Sequence, residues 1–167
     1  MAMITTEDNF LTIEENEFVL DYCLSAKFRY GTTDNPSTPP VGMVSDILSG
    51  DEMYQFFHNK IERYLNGLKI YWVTVNMYAP GEIPYFHTDC DEGVTFIYYP
   101  QENWHINDGG TTEFYVGKQI LGVPPIQNRL LYFDANIPHR ATSFKDRYRF
   151  TVALRCNKEG FRSDIYQ

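Results

Sequence analysis

From Lys69 onward, short runs of β-branched and aromatic residues are cut every few positions by Gly, Pro, Asn or Asp. This is the signature of many short strands, and it excludes a helical bundle for more than half of the chain. The runs lie near 69–78, 85–89, 93–99, 111–116, 119–127, 129–134, 137–143 and 148–156, with "VGKQ" and "SFKDRY" as hairpin turns. Eight antiparallel strands in two sheets make a jelly roll, a barrel-like fold whose mouth can hold a ligand. The 13 Tyr and 12 Phe suit such a β-rich interior or a lined pocket.

The first part of the chain reads differently. Thr12 with Glu15, and Ser49 with Glu52, fit the capping box, in which a hydroxyl and a carboxylate satisfy free amides at a helix start. Helices are expected over about 13–26 and 50–66, the second with Met53, Phe56, Phe57, Ile61, Tyr64 and Leu65 on one stripe and Gly67 as its stop. Both stripes need a sheet to cover. Between them "GTTDNPSTPPVG" (31–42) has turn and polyproline chemistry without periodicity, so it reads as a loop, either a plain connector or a lid. At 167 residues the chain is expected to be one domain, with a helical part over 1–68 and the jelly-roll core over 69–157.

Charge narrows the partners. A net charge of −8 disfavours phosphate backbones and anionic lipid. No apolar run is long enough for a membrane helix, and the N-terminus lacks a basic segment followed by an apolar core, so a soluble cytoplasmic chain is expected. Cys23, Cys90 and Cys156 are odd in number and have no CxxC spacing, which points to structural thiols.

The chemistry concentrates in "PYFHTDCDEG" (84–93). Residues two apart on a strand share a face, so His87 and Asp89 can present an imidazole and a carboxylate to one point. That is half a metal site. Downstream, "RLLYFDANIPHRATSFKDRYRFTVALRC" places His139 before a turn and Arg149 after it. A hairpin reversing around Phe144 would set these two opposite each other on one face. A cation beside a histidine makes sense if the histidine is a neutral ligand and the guanidinium fork awaits a carboxylate from outside. Two histidines and one carboxylate on one face of an octahedron leave three positions open, the arrangement of non-haem Fe(II) oxygenases.

On these residues the chain resembles the 2-oxoglutarate/Fe(II)-dependent dioxygenases over about 70–156. "IYYPQENWHINDGGTTEFY", with "RLLYFD", His139 and Arg149, is similar to the prolyl-hydroxylase branch. "NMYAPGEIPYFHTDCDE" and the pair Arg149 and Arg155 are similar instead to AlkB-type repair dioxygenases, although the ten-residue interval from His139 to Arg149 agrees better with prolyl hydroxylases. The resemblance implies a double-stranded β-helix of cupin type. It implies Fe(II) on His87, Asp89 and His139, which carry catalysis, with 2-oxoglutarate and O2 as co-substrates and Arg149 on the far carboxylate. Tyr78 and Tyr99 are then candidates for hydrogen bonds to the co-substrate, and Asn76 and Thr151 join them as inward-facing positions by strand parity.

Other residues read more plainly. His58 is a solvated helix histidine, and Asp91 and Glu92 form an acidic turn. Cys90 faces away from the metal by parity, and Arg155 alternates inward with Arg149 and Thr151 by the same parity, although at a strand end a surface salt bridge is the commoner fate. His105 borders the mouth as a candidate substrate contact.

The function expected is an oxygenase that converts 2-oxoglutarate to succinate and CO2 while hydroxylating a substrate C–H, most simply a prolyl residue in a peptide. The alternatives are a small-molecule hydroxylase, an AlkB-like nucleic-acid demethylase, which the charge disfavours, and a cupin-like binding domain, which has no use for Arg149 opposite His139.

Overall fold

A computed structural model describes residues 3–30 and 33–161. The first two residues of the 31–42 loop lie outside it. The order is β1 (Ile4–Glu7), α1 (Ile13–Ser25), β2 (Met43–Asp46), α2 (Glu52–Leu65), β3 (Lys69–Tyr78), β4 (Gly93–Tyr99), β5 (Thr112–Val116), β6 (Gln119–Val123), β7 (Arg129–Asp134), β8 (His139–Ala141) and β9 (Arg149–Asn157).

The strands form a six-stranded sheet, β1-β7-β4-β9-β3-β2, and a three-stranded sheet, β6-β5-β8, with every pairing antiparallel. This is the expected mainly β, jelly-roll core with N-terminal helices.

Side-chain alternation divides the large sheet into two faces. Phe96 and Tyr98 of β4 and Val152, Leu154 and Cys156 of β9 pack with Val19 and Cys23 of α1 and Met53, Phe57, Ile61 and Leu65 of α2. Fully burying one such side chain is worth roughly 1.5–3 kcal/mol, so this layer anchors the helices. The opposite face sends Ile97, Tyr99, Leu131, Phe133 and Ala153 against Phe114 and Ile137, filling one end of the space between the sheets. The remaining inward positions of β3 and β9 are polar, and there the space opens into a cavity.

Local chemistry explains most boundaries. The capping box at Thr12 and Glu15 is present, both hydrogen bonds included. Ser49 caps nothing. Leu48 and Asp51 close their own turn, the Asp51 amide to the Leu48 carbonyl and the Leu48 amide to the Asp51 carboxylate, so α2 starts one residue after Asp51 with Glu52 too early to complete a box. Asn66 and Gly67 end α2 with φ of 46° and 85°. In "VGKQ", Gly117 and Lys118 both have positive φ, the backbone of a two-residue type I′ hairpin.

"SFKDRY" is not a hairpin. It carries the chain from β8 in the small sheet to β9 in the large one, so His139 and Arg149 are not cross-strand neighbours. His139 pairs with Phe114, and Arg149 with Tyr78. The 85–89 segment is not a strand either. His87 forms an isolated bridge to His139, while the Tyr85 amide turns to the Asp34 carboxylate. β6 and β8 are shorter than expected, and β1 and β2 occupy the two edges of the large sheet. Among the described residues no helix is long and apolar enough to cross a membrane.

Candidate functional site

The cavity lies between the sheets and is walled by β3 (Trp72, Asn76, Tyr78), β9 (Arg149, Thr151, Ala153, Arg155), β4 (Thr95, Ile97) and the small sheet (Thr112, His139, Ala141). The 33–44 segment, through Thr33, Asp34, Val41 and Val44, and the 87–89 segment close the remaining sides. Strand register sets the pairs. Tyr78 stands opposite Arg149, Asn76 opposite Thr151, and Trp72 opposite Arg155.

His87, Asp89 and His139 converge here, their ligand atoms all within 4.8 Å of one another. Asp89 Oδ2 is 3.5 Å from His139 Nε2, and Oδ1 is 3.9 Å from His87 Nε2. Each histidine uses Nδ1 on the carbonyl two residues before it, His87 on Tyr85 at 3.1 Å and His139 on Ile137 at 2.9 Å. With Nδ1 as donor to a carbonyl, Nε2 is left as the lone-pair nitrogen turned to the shared point. The backbone bonds between His87 and His139 are reciprocal, at 3.0 and 2.9 Å, and hold the rings with centroids 4.5 Å apart. Burial pushes His139 down to about 4 against the pull of Asp89, so it is neutral at pH 7, the state a metal ligand requires.

Asp89 is fixed on both oxygens. Arg155 Nε donates to Oδ1 at 2.7 Å and the Thr95 hydroxyl to Oδ2 at 2.5 Å. Burial alone would raise its carboxyl, yet Arg155, the two histidines and Thr95 outweigh burial and hold it well below the usual carboxylate range. Arg155 is therefore not a surface residue. Its guanidinium lies 4.4 Å from the Trp72 ring and donates to Thr74 Oγ1, which in turn donates to Asn76 Oδ1. Strand parity with Arg149 holds for it, and the alternative of a surface salt bridge fails because β9 is an inner strand whose C-terminal end is still covered by β3 and β4.

Arg149 presents the opposite case. It is 2% exposed, and its Nε and Nη2 donate to Gly110 O at 2.8 Å and Thr112 Oγ1 at 3.0 Å. Among the described residues no carboxylate pairs with it. Tyr78 and Tyr99 flank it, with ring centroids 5.9 and 5.7 Å from the guanidinium carbon. Tyr99 does not line the cavity; it sits one layer behind, its hydroxyl 2.6 Å from Thr112 Oγ1. Thr112 and Gly110 thus position Arg149, a role visible in "GGTTEFY" only once that segment is known to pass beside β9.

The remaining candidates fall elsewhere. His105 is exposed and braces its own loop with Asp108, and His58 stacks on Tyr54 in α2. Asp91 and Glu92 are exposed, with Glu92 paired to Lys158, and Cys90 lies beside Gly93 and Tyr71 away from the cavity. All three cysteines are free, and burial pushes the Cys23 and Cys156 thiols up to about 12. Thiols held so high stay protonated, the form that is not nucleophilic. Sequence reading missed Asp34, whose carboxylate reaches the rim of the site from a loop more than fifty residues upstream.

No family model matches the sequence, and no curated protein matches it. Solved structures do share its fold. A prolyl-4-hydroxylase from Pseudomonas putida is similar with a TM-score of 0.78 at 16% identity, over 95% of this chain and 94% of that one. A prolyl hydroxylase from Trichoplax adhaerens, solved with a hypoxia-inducible-factor peptide fragment, has a TM-score of 0.78 at 23% identity, over 98% and 87%. HygX from Streptomyces hygroscopicus, solved with nickel and 2-oxoglutarate, has a TM-score of 0.73 at 9% identity, over 93% and 83%. The chain has the double-stranded β-helix fold of the 2-oxoglutarate/Fe(II) oxygenases.

Proposed function

We propose that this protein is an Fe(II)- and 2-oxoglutarate-dependent oxygenase that hydroxylates a substrate C–H. The observation that carries the reading is Arg149, a buried guanidinium that among the described residues has no carboxylate partner, in the same cavity as a His-Asp-His group. A buried charge left unpaired is costly. An acid that reaches it from the cavity removes that cost, and a 2-oxo dicarboxylic acid could reach it while its other end lies at the triad.

The donor set fits the metal. Two imidazoles with Nε2 free and one anchored carboxylate would hold Fe(II) and leave coordination positions for a 2-oxo acid and O2. Bound there, Fe(II) would supply oxygen activation, one atom of O2 going to the succinate formed as 2-oxoglutarate loses CO2 and the other to the substrate C–H.

The protein's own groups position and shield. Arg155 and Thr95 keep Asp89 ionised and oriented. Arg149, held by Gly110 and Thr112 and walled by Tyr78, receives the distal carboxylate. Asn76 and Thr151 border the same wall. Ile97 and Ala153 make the floor apolar, and the 33–44 segment covers one side, which limits water.

For the substrate, we favour a prolyl residue in a peptide. The two prolyl hydroxylases of the same fold, one of them solved with a peptide, support this reading, as does the −8 charge, which opposes a nucleic-acid track. A small-molecule substrate is the second reading, favoured by HygX, whose structure with hygromycin B bound has the same fold. Free thiols suit a reducing compartment such as the cytoplasm.

The test has two steps. Anaerobic addition of Fe(II) and 2-oxoglutarate to the folded protein should give the weak visible charge-transfer band of a chelated 2-oxo acid; its absence ends the oxygenase reading. Succinate release and a mass gain of about 16 Da, one oxygen atom, are then compared for proline-containing peptides, small amino compounds and methylated oligonucleotides. Faster turnover on either of the latter overturns the peptide assignment.

A further inference from the structure

Asp34 is the second acidic side chain at the cavity, and its surroundings are unlike those of Asp89. Its side chain is 13% exposed, and among the described residues no lysine or arginine forms an ion pair with it. Oδ2 accepts the Tyr85 amide at 2.8 Å, and Oδ1 lies 3.4 Å from Nδ1 of His87. The next residue, Asn35, donates to the Phe86 carbonyl at 3.0 Å. Two consecutive residues of the 33–44 segment are thus tied to the three residues that end in the first histidine of the triad. Both histidines turn Nδ1 to a backbone carbonyl, Tyr85 for His87 and Ile137 for His139, but among the described residues only at His87 does a carboxylate, that of Asp34, also stand against Nδ1.

Resting on the metal site proposed above, we infer that Asp34 is a positioning residue for that site, acting through His87. The Nδ1 hydrogen bond of His87 goes to the Tyr85 carbonyl, and the Asp34 carboxylate beside it adds negative charge behind the ring, which raises the basicity of the ligating nitrogen. The same negative charge stands where a divalent ion would add positive charge, and among the described residues this largely buried carboxylate has no lysine or arginine in ion-pair contact. The 33–44 segment wall and the metal ligand are therefore mechanically one unit. A displacement of Asp34 takes the carboxylate away from His87.

The experiment compares Mn(II) binding by the full chain, read as loss of the free-ion EPR signal without 2-oxoglutarate, for the parent, Asp34→Asn and Asn35→Ala. The asparagine keeps an oxygen for the Tyr85 amide but removes the charge, so a merely structural anchor would survive it. Expected is Mn(II) affinity weaker by roughly 10- to 100-fold in Asp34→Asn, with Asn35→Ala close to the parent. Parental affinity in Asp34→Asn overturns the inference while leaving the oxygenase reading intact, and so does an equal loss in both variants, which would assign the effect to the loop tether. A parent that takes up no Mn(II) overturns both.

Discussion

Arg155 Nε meets Asp89 Oδ1 at 2.7 Å with both side chains nearly out of solvent, at 12% and 5% exposure. The pair joins the last strand to the 87–89 segment, which carries two of the three proposed metal ligands. Its cost is the desolvation of two charges, offset by their attraction and by the hydrogen bonds from Thr95 and to Thr74.

Breaking that pair from one side should therefore hurt more than removing it whole. Arg155→Met leaves a buried carboxylate alone and is expected to cost about 3–5 kcal/mol in the metal-free protein. Adding Asp89→Asn should return part of the loss. Urea unfolding of the parent, both single variants and the double variant measures the coupling, and additive losses would contradict it.

Each proposed metal ligand is expected to be indispensable to turnover without being indispensable to folding, because His87, Asp89 and His139 line the cavity, and only the His139 ring also packs on an apolar cluster, through Phe133. Substituting any one by Ala should abolish succinate release and weaken Mn(II) by roughly 10-fold or more, while the far-UV circular dichroism stays that of a β-rich fold. Normal turnover in one of them would remove it from the triad.

Arg149→Met should separate ligand binding from stability. The change removes a buried unpaired charge but also two hydrogen bonds, so ligand-free stability is expected to stay within about 1 kcal/mol of the parent. The parent should gain about 2.7 kcal/mol from 2-oxoglutarate with Mn(II) at a hundred times Kd, and the variant should gain nothing. A variant still stabilised by 2-oxoglutarate would move the carboxylate site elsewhere.

Gly110→Ala tests how Arg149 is held. Gly110 has φ of 77°, and a Cβ there would lie 2.3 Å from the Phe144 ring, while its carbonyl is the acceptor for Arg149 Nε. The strained alanine should destabilise the fold by about 1 kcal/mol or more and weaken 2-oxoglutarate as well. Parental 2-oxoglutarate affinity in the folded variant would show that Gly110 does not position Arg149.

The acid side of the stability curve should carry the mark of His139. Its folded value of about 4 lies below the ordinary histidine range, so the unfolded chain binds more protons between about pH 6.5 and 4, and stability falls as pH drops through that window. Asp89, also held low, adds a further loss below the ordinary carboxylate range. In the metal-free protein, His139→Gln should flatten the slope between pH 6.5 and 4. An unchanged slope would assign it to another group.

What could be read along the chain was whatever depends on neighbours two, three or four positions away. The α2 stripe is of this kind, and so are the shared faces of Asn76 with Tyr78 and of Arg149 with Thr151. What could not be read depends on which sheet a strand joins. His139 and Arg149 reach one cavity from two sheets, which no interval between them encodes. Parity turns Arg155 inward, but that it meets Asp89 there depends on β4 covering the end of β9, and Asp34 meets His87 through a loop without periodicity. β1 and β2 are four-residue edge strands, "ITTE" and "MVSD", too short and too polar to announce themselves.

Among the described residues, the reciprocal backbone bonds between His87 and His139 are the ladder contact that joins the 87 bridge to the small sheet. Their two amide protons can exchange with solvent only when that clasp opens. Deuterium uptake at these two amides is thus a clock for assembly of the site: its rate without metal, against the intrinsic exchange rate, gives the fraction of time the backbone clasp is open, and its slowing on metal uptake gives how far an ion holds the clasp closed.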